Sequence, residues 1–315
     1  MSDLPYIAAR DVEHLLSWRT VADALFDGHR HGRADIEDIL FKHGDNALLN
    51  RAAWVPGLGL GTKTATVFPA NKERDPPLPS IHAVCTLFDA ETGQPSAVID
   101  GALVTKWKTA GDSVLGARLL ARGDARVLVV VGAGVVAASL VAAYSEVFPA
   151  LDRVLIWNRT FDKAQALAAQ FAGGGLTVEA HPDLAGALAE ADIVSSATMA
   201  TAPVLKGEWI RPGTHVDLIG AYRPDMREAD DALISTASLF VDARETTLHD
   251  IGELAIPLAA GVIGEGDVRA DLYDLAAGAP GRRSDAEITL FKNGGGAHLD
   301  IMTAVHIKRV FDDNR

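Results

Sequence analysis

The segment that most constrains the fold is an apolar run, Val127–Val131, which leads directly into Gly132-Ala133-Gly134. The pattern continues as G-x-G-x-x-A to Ala137 and then becomes an Ala-rich apolar stretch. In a dinucleotide-binding unit the first glycine makes a tight turn, the second lets the backbone approach a pyrophosphate, and the small third residue lets the helix pack on the strand. The sequence therefore predicts a strand, a phosphate-binding loop and a helix beginning near Arg126.

The same segment carries no charged residue between Val127 and Tyr144, so its length approaches that of a membrane span. Glycines near its middle, and the change from β-branched to Ala-rich composition, favour a buried strand followed by a buried helix. The formal net charge of −13 argues against nucleic acid or an anionic membrane as a partner, because both attract basic surfaces. We expect neither partner.

Strand-like and helix-like segments alternate regularly after Arg126, which is typical of a doubly wound α/β fold with a parallel sheet. The predicted strands are residues 127–131, 154–157, 177–179, 193–197, 215–219 and 239–241, with a further strand-like run at 287–291. Helical patterns cover residues 162–171, 183–190 and 228–236. We therefore expect a Rossmann-type domain over residues 124–296.

The preceding part has a different, mixed α+β character. Residues 5–50 show helical periodicity interrupted by glycines, and residues 106–122 again predict a helix. Strand-like runs lie between them at 60–68, 81–88 and 96–100, and residues 88–93 predict a hairpin turn. A last helix is expected at 299–310.

The end of the second Rossmann strand bears on the choice of cofactor. An NAD site usually has Asp or Glu there to bind the ribose 2′-hydroxyl, whereas this chain has Asn158-Arg159-Thr160. An amide, a guanidinium and a hydroxyl suit a 2′-phosphate instead. Asp152 precedes the strand and is interpreted as a loop charge. The sequence predicts NADP(H), with NAD(H) as the alternative.

Few residues suggest other chemistry. The only cysteine, Cys85, excludes an intramolecular disulfide and is expected to be buried in a strand. His29 and His31 have no carboxylate or cysteine partners in the sequence, so we predict no metal site. The first residues contain acidic groups and no apolar run like that of a secretory signal, which indicates a cytoplasmic protein.

Several dispersed motifs carry a resemblance to a known family. They are VLIWNRT at residues 154–160, the run APVLKGEWIRPGTHVDLIGAYRPDMREADDALISTASLFVDAR at 202–244, LFDAETG at 87–93, and Lys108-Thr109-Ala110. Through them the chain resembles the ornithine cyclodeaminase/mu-crystallin family over nearly its whole length. The resemblance implies a homodimer that binds NAD(P) and acts on small amino or imino acids. It also implies that residues 1–123 and 297–315 form one discontinuous domain for substrate binding and dimerisation.

The resemblance assigns substrate contacts residue by residue. Lys63 corresponds to the family's substrate-binding lysine, and Lys108 stands where the family has an arginine that grips the substrate carboxylate. Lys42 corresponds to an upstream arginine, and His82 stands where the family often has glutamine. Lys63 and Lys108 are the predicted catalytic residues.

Further residues are expected at the cofactor. Thr109 corresponds to a family residue near the cofactor. The other predicted contacts are Gly132, Ala133, Gly134, Val135, Asn158, Arg159, Thr160, Ala197, Thr198, Met199 and Gly220. Asp300 lies in a region that passes near the nicotinamide in relatives, and the sequence leaves open whether it supports the site or is an ordinary helix residue.

The position of Tyr222 separates the branches of the family. In the cyclodeaminase branch an aspartate occupies this position and handles protons on the substrate amino group, whereas mu-crystallin-like ketimine reductases lack it. Tyr222 is therefore predicted to contact substrate in a reductase. The sequence favours NADPH-dependent reduction of a small cyclic 2-imino acid, such as pyrroline- or piperideine-2-carboxylate, to the L-amino acid. The alternatives are ornithine cyclodeamination, alanine dehydrogenase-like reductive amination, and NADP binding without turnover.

Overall fold

A computed structural model describes residues 4–315, and the chain divides into two compact units. The first contains the residues up to Lys108 together with Gly296–Arg315, and the second is Thr109–Gly295. The sequence suggests a boundary after residue 123, whereas the compact units divide inside the helix Gly101–Leu120. A continuous helix leaves no mark of such a boundary in the sequence, because neither a loop nor a change of composition occurs there.

The first unit is built on a six-stranded mixed sheet. Its strands are β1 (Tyr6–Ile7), β2 (Asp35–His43), β3 (Asn46–Val55), β4 (Gly59–Val67), β5 (Ile81–Phe88) and β6 (Pro95–Asp100), in the order β1-β6-β5-β4-β3-β2. Only β1 and β6 pair in parallel; the other neighbours are antiparallel. Its helices are α1 (Ala9–Val12), α2 (Trp18–Arg30), the start of α3 (Gly101–Leu120) and α11 (Ala297–Asp313). Helix α11 packs on α2 and on strands β2 to β5.

The helical prediction for residues 5–50 is correct for α2 but wrong from residue 35 onward. Residues 35–55 form a β2–β3 hairpin in which His43 pairs with Asn46 across the two residues Gly44 and Asp45. A two-residue turn of this composition is a strong hairpin signal. The glycine was interpreted as a helix break, and β2, which is exposed at eight of its nine residues, lacks the apolar–polar alternation that normally reveals a strand.

The second unit confirms the predicted α/β class, with an eight-stranded, wholly parallel sheet in place of the six predicted strands and the further strand-like run. The strands are β7 (Val127–Val131), β8 (Arg153–Trp157), β9 (Thr177–Ala180), β10 (Ile193–Ser196), β11 (His215–Leu218), β12 (Ser238–Val241), β13 (Val268–Asp271) and β14 (Thr289–Lys292). Their order is β13-β12-β14-β11-β10-β7-β8-β9. Both β1 and β13 were missed, because β1 has only two residues and β13 (VRAD) has two charged residues among four, so neither shows an apolar run.

Helices connect most of the parallel strands, as crossover connections require. They are α4 (Val135–Val147), α5 (Phe161–Ala169), α6 (Leu184–Glu190), α7 (Asp231–Thr236), α8 (Arg244–Thr247), α9 (Gly252–Ala259) and α10 (Leu272–Ala276). All residues of β10, β11, β12 and β14 are buried, and Val129, Val194 and Val216 lie in the main core of this unit. Strands buried along their whole length are expected where a parallel sheet is covered on both faces.

None of the helices formed by residues 4–315 is both long enough and apolar enough to span a membrane.

Candidate active site

Lys63 lies in β4, in the interior of the first unit's sheet, and its residue is only 6% exposed. Its neighbours across the sheet are Arg51 on β3 and Cys85 on β5. Directly paired residues on adjacent strands point to the same face, so the three side chains share one face of the sheet. Burial raises the pKa of the Cys85 thiol to about 12, so the neighbour of Lys63 on that side is uncharged.

Two helices bring further charges to Lys63. Its Nζ lies 2.6 Å from Oδ1 of Asp300 on α11, and the Nζ of Lys108 on α3 lies 3.2 Å from the same oxygen. Asp300 is fully buried, and Lys108 is 6% exposed. Lys63 also donates to Thr105 Oγ1 at 3.4 Å. We call Lys63, Lys108 and Asp300 the lysine cluster.

The charges of the lysine cluster depend on one another. Burial alone would raise the pKa of Asp300, but Lys108, Lys63 and Arg51 hold it at about 2, so the carboxylate is ionised at any ordinary pH. Burial lowers the pKa of Lys108 to about 8, against the opposing attraction of Asp300. The cluster thus presents two ammonium groups around one carboxylate at neutral pH, a net positive charge that suits an anionic ligand.

Arg51 adds a further cation to the same face. Its side chain is 18% exposed and donates through Nε and a terminal nitrogen to Oδ2 of Asp38. Its charge lowers the pKa of both Lys108 and Asp300. Arg51 was not predicted because residues 46–55 were not recognised as a strand, and only the pairing of β3 with β4 places Arg51 opposite Lys63.

The remaining predicted substrate residues of the first unit lie apart from the lysine cluster. Lys42 is exposed on the edge strand β2, four residues beyond Asp38 and so about 13 Å along the strand. His82 is exposed at the start of β5, opposite Thr66. Because His82 is three residues from Cys85, its side chain points to the other face of the sheet. Neither residue joins the lysines.

The predicted cofactor residues of the second unit gather at one edge of the parallel sheet. They follow the carboxyl ends of four neighbouring strands, in the spatial order β11, β10, β7 and β8. Gly220 follows β11; Ala197, Thr198 and Met199 follow β10; Gly132 to Val135 follow β7; Asn158 to Thr160 follow β8. Dinucleotides bind across this edge in doubly wound folds, where the connections diverge to the two sides of the sheet.

The loop after β7 fits a pyrophosphate. Gly132 has a φ of 123°, and a Cβ there would lie 2.6 Å from the carbonyl oxygen of Ala197, so only glycine suits the position. A Cβ on Gly134 would meet no atom within 4 Å, which leaves open space beside the N-terminus of α4. Unused N–H groups at a helix N-terminus attract phosphate.

The three residues directly after β8, Asn158, Arg159 and Thr160, include no carboxylate. Arg159 and Thr160 are exposed, and the Asn158 amide donates to the carbonyl oxygen of Thr160 at 2.9 Å. Asp152, which precedes the strand, is exposed and pairs with Arg126 at 2.9 Å. Asp152 is therefore part of a surface ion pair at the opposite end of β8, and the carboxylate nearest in sequence is Asp162 in the first turn of α5.

Two further predicted residues lie in the second unit. The carbonyl oxygen of Thr109, on α3, accepts from the amide of Asn293, which follows β14. Tyr222 is 55% exposed in the loop after β11, with the Arg223 guanidinium 5.7 Å from its ring centre. Arg223 also pairs with Asp225, so the carboxylate that follows Tyr222 is engaged at the surface.

Across residues 4–315 the structure brings no three His, Cys, Asp or Glu side chains into a group that could hold a metal ion.

The parallel sheet and its loop edge define a dinucleotide-binding protein of the doubly wound α/β class. The chain belongs to the ornithine cyclodeaminase/mu-crystallin family, whose sequence profile matches residues 55–314. The resemblance seen in the sequence is thereby confirmed.

Three similar proteins illustrate the relationship. A Delta(1)-pyrroline-2-carboxylate reductase of Paracoccus denitrificans is 52% identical over 306 residues, which cover 97% of this chain and 96% of the relative. The ketimine reductase mu-crystallin of Mus musculus is 35% identical over 253 residues, 80% of this chain and 75% of the relative. The structure of Thermococcus litoralis Delta(1)-pyrroline-2-carboxylate reductase in complex with NADH and L-proline superposes with a TM-score of 0.89 at 29% identity, over 99% of this chain and 98% of that one.

Proposed function

We propose that this protein reduces the C=N bond of a small cyclic 2-imino acid, such as pyrroline- or piperideine-2-carboxylate, to the L-amino acid with NADPH. The observation that carries the proposal is the buried lysine cluster, which offers two ammonium groups and a net positive charge to a carboxylate. The similarity to reductases of pyrroline-2-carboxylate and other ketimines supports the same substrate class.

Lys63 and Lys108 are proposed to bind the substrate carboxylate and fix the orientation of the imine, which is catalysis by positioning and electrostatics. Asp300 holds both ammonium groups through one oxygen, so their spacing is set before substrate arrives. When bound, the cofactor would supply the hydride that reduces the imine carbon. The nitrogen gains a proton in the same reaction, and a protonated imine is the better electrophile.

NADP(H) is the proposed cofactor, with NAD(H) as the alternative. Arg159 and Thr160 are exposed after β8, and no carboxylate there would repel a 2′-phosphate. Arginine binds phosphate with strong charge-assisted hydrogen bonds. In this proposal Asn158, Arg159 and Thr160 surround the adenosine ribose, and the loop from Gly132 to Val135 holds the pyrophosphate.

Ornithine cyclodeamination is the second candidate within the family. It requires oxidation, ammonia loss, ring closure and re-reduction, with a group that manages protons on the amino nitrogen. Tyr222 occupies the position expected for that group, and the neighbouring Asp225 pairs with Arg223. The proposal therefore favours simple reduction, for which a carboxylate-binding site and a protonated nitrogen suffice. Reductive amination and NADP binding without turnover are the remaining alternatives.

A homodimer in the cytoplasm is also proposed. Large apolar side chains are exposed on the face of the first unit's sheet that does not carry Lys63. Exposed apolar surfaces of this kind are uncommon on monomers. Those on this face are Tyr6, Ile39, Phe41, Leu48 and Trp54, each between 39% and 59% exposed. Association of two such faces would bury them. Cys85 as a lone buried thiol is compatible with a reducing compartment.

The test is NADPH oxidation by the purified protein with pyrroline-2-carboxylate and piperideine-2-carboxylate, repeated with NADH. Pyruvate with ammonia, and ornithine with NAD, are run alongside. The proposal expects turnover of a cyclic imine that is faster with NADPH. Ammonia release from ornithine without net cofactor consumption would support cyclodeamination. Cofactor binding without turnover on the whole panel would support a non-catalytic role.

A further inference from the structure

A fully buried carboxylate, Glu228, joins the two loops that follow β10 and β11. Its Oε1 accepts from Ser196 Oγ at 2.6 Å, from the Thr198 backbone N–H at 2.8 Å and from Thr198 Oγ1 at 2.7 Å. Its Oε2 accepts from the backbone N–H of Gly220 at 2.6 Å. Each oxygen therefore binds the backbone of a different loop, and one side chain fixes the separation of the two loops.

The two loops approach each other so closely that they leave no room for a side chain at Gly220. A Cβ on Gly220 would lie 2.0 Å from the carbonyl oxygen of Thr198 and 2.7 Å from Glu228 Oε1. Glu228 is itself held, because its backbone N–H donates to Glu253 Oε2 at 2.8 Å and its carbonyl oxygen accepts from Val204 and Leu205. Burial raises the pKa of Glu228, while the positive charge of Lys292 opposes that rise.

The position of the two loops identifies the part of the cofactor that they face. Strand β7 lies between β8 on one side and β10 on the other, with β11 next to β10. In a dinucleotide-binding sheet the strands on the two sides of the central crevice each hold one nucleotide half. The residues after β8 are those proposed for the adenosine ribose, so the loops after β10 and β11 face the nicotinamide half.

We propose that Glu228 is a positioning residue for the nicotinamide half of the cofactor, acting through Thr198 and Gly220 and leaving the adenosine half unaffected. The inference rests on the cofactor site described under the proposed function, but not on the identity of the substrate. The hydrogen bonds to the backbone of Thr198 and of Gly220 both require an acceptor on residue 228, since an N–H group can only donate. Glutamine at this position has one acceptor oxygen and one donor nitrogen, so Glu228→Gln must release one of the two loops.

The experiment compares the dissociation constants of NADPH and of 2′,5′-ADP, which lacks the nicotinamide half, for wild type and Glu228→Gln. We expect NADPH binding to weaken about tenfold, because one buried N–H loses its acceptor, while 2′,5′-ADP binding changes by less than about twofold. The same comparison of NADH with ADP covers the alternative cofactor. Because binding is measured without turnover, failure to reduce imines would leave this test intact.

Two variants complete the design. Asp230→Asn is the matched control, because Asp230 lies two residues from Glu228 and its carboxylate accepts from the backbone N–H groups of Gly207 and Leu233, not from Thr198 or Gly220; it should lower thermal stability and leave both constants unchanged. Ser196→Ala removes one hydroxyl donor and keeps both backbone tethers, so it should weaken NADPH binding by a smaller factor even if Glu228→Gln fails to fold. Equal weakening of NADPH and 2′,5′-ADP, or no weakening of either, would overturn the proposal.

Discussion

The ammonium group of Lys63 lies 2.6 Å from the carboxylate of Asp300, although 237 residues separate the two in the chain. The pair joins a strand of the first sheet to the C-terminal helix α11, and both side chains are almost inaccessible to solvent. Lys108 shares the same carboxylate oxygen. Asp300 is thus the counter-charge that allows two lysines to remain buried side by side.

The first prediction concerns the stability provided by Asp300. Asp300→Asn leaves two buried ammonium groups without their counter-charge, and breaking a buried pair in this way costs about 3–5 kcal/mol. Urea denaturation of the full chain should show a loss of that order. Asp312→Asn is the matched control, because Asp312 pairs with Lys308 at the exposed end of the same helix and should cost less than about 1 kcal/mol. Equal losses in the two variants would contradict the role given to Asp300.

A second prediction concerns pH. A lysine is charged below its pKa, so the pKa of about 8 for Lys108 predicts that its carboxylate-binding charge disappears as the pH rises through about 8. Arginine keeps its charge throughout this range. The ratio of kcat/KM for Lys108→Arg to that for wild type should therefore rise above pH 8, while protonation of the imine affects both proteins equally. A ratio that stays constant from pH 6 to pH 10 would show that Lys108 does not titrate in the reaction.

The cofactor preference gives a third prediction. Arg159→Gln removes the cation proposed to bind the 2′-phosphate, so KM for NADPH should rise about tenfold or more while KM for NADH stays nearly constant. Arg153→Gln is the control, since Arg153 pairs with Glu179 and Glu190 at the other end of β8. If Arg159→Gln raised both KM values to the same extent, the residue would not distinguish the two cofactors.

A fourth prediction concerns association of the first unit. Trp54 is 51% exposed on the apolar face of the sheet opposite Lys63, and a glutamate there would place a charge inside the proposed dimer interface. Trp54→Glu should shift sedimentation from dimer toward monomer at micromolar concentration. Ile256→Glu, at a partly exposed apolar residue of the second unit, should sediment like wild type. A wild-type protein that sediments as a monomer would rule out the interface.

Much of the second unit could be predicted from sequence, because its signals are local. The apolar strand before Gly132 and the loop after it lie within a few residues of one another, and β7 begins and ends where the pattern predicts. The lysine cluster is different. Lys63 and Lys108 were assigned by resemblance, and nothing near Asp300 indicates that it contacts both.

The β2–β3 hairpin and the role of Glu228 also could not be predicted from local sequence signals. Residues 35–50 carry an apolar periodicity that suits a helix, but β2 pairs with β3 and β3 pairs with β4, which makes them part of the sheet. Residues 228–236 were predicted to be helical, whereas α7 begins only at Asp231, and the role of Glu228 depends on its bonds to Thr198 and Gly220, which are 30 and 8 residues away. Long-range convergence of this kind has no periodic signal in a single sequence.

The most direct test of the central claim is the stoichiometry of the reaction, followed by NMR with pyrroline-2-carboxylate and NADPH in wild type and Lys63→Met. We predict that wild type forms one L-proline per NADPH consumed. Lys63→Met should reduce the imine at least about a hundredfold more slowly, because a carboxylate-binding charge is lost. The proposed reduction would be contradicted if the imine were not reduced while ornithine released ammonia without net cofactor consumption, or if Lys63→Met reduced the imine as fast as wild type.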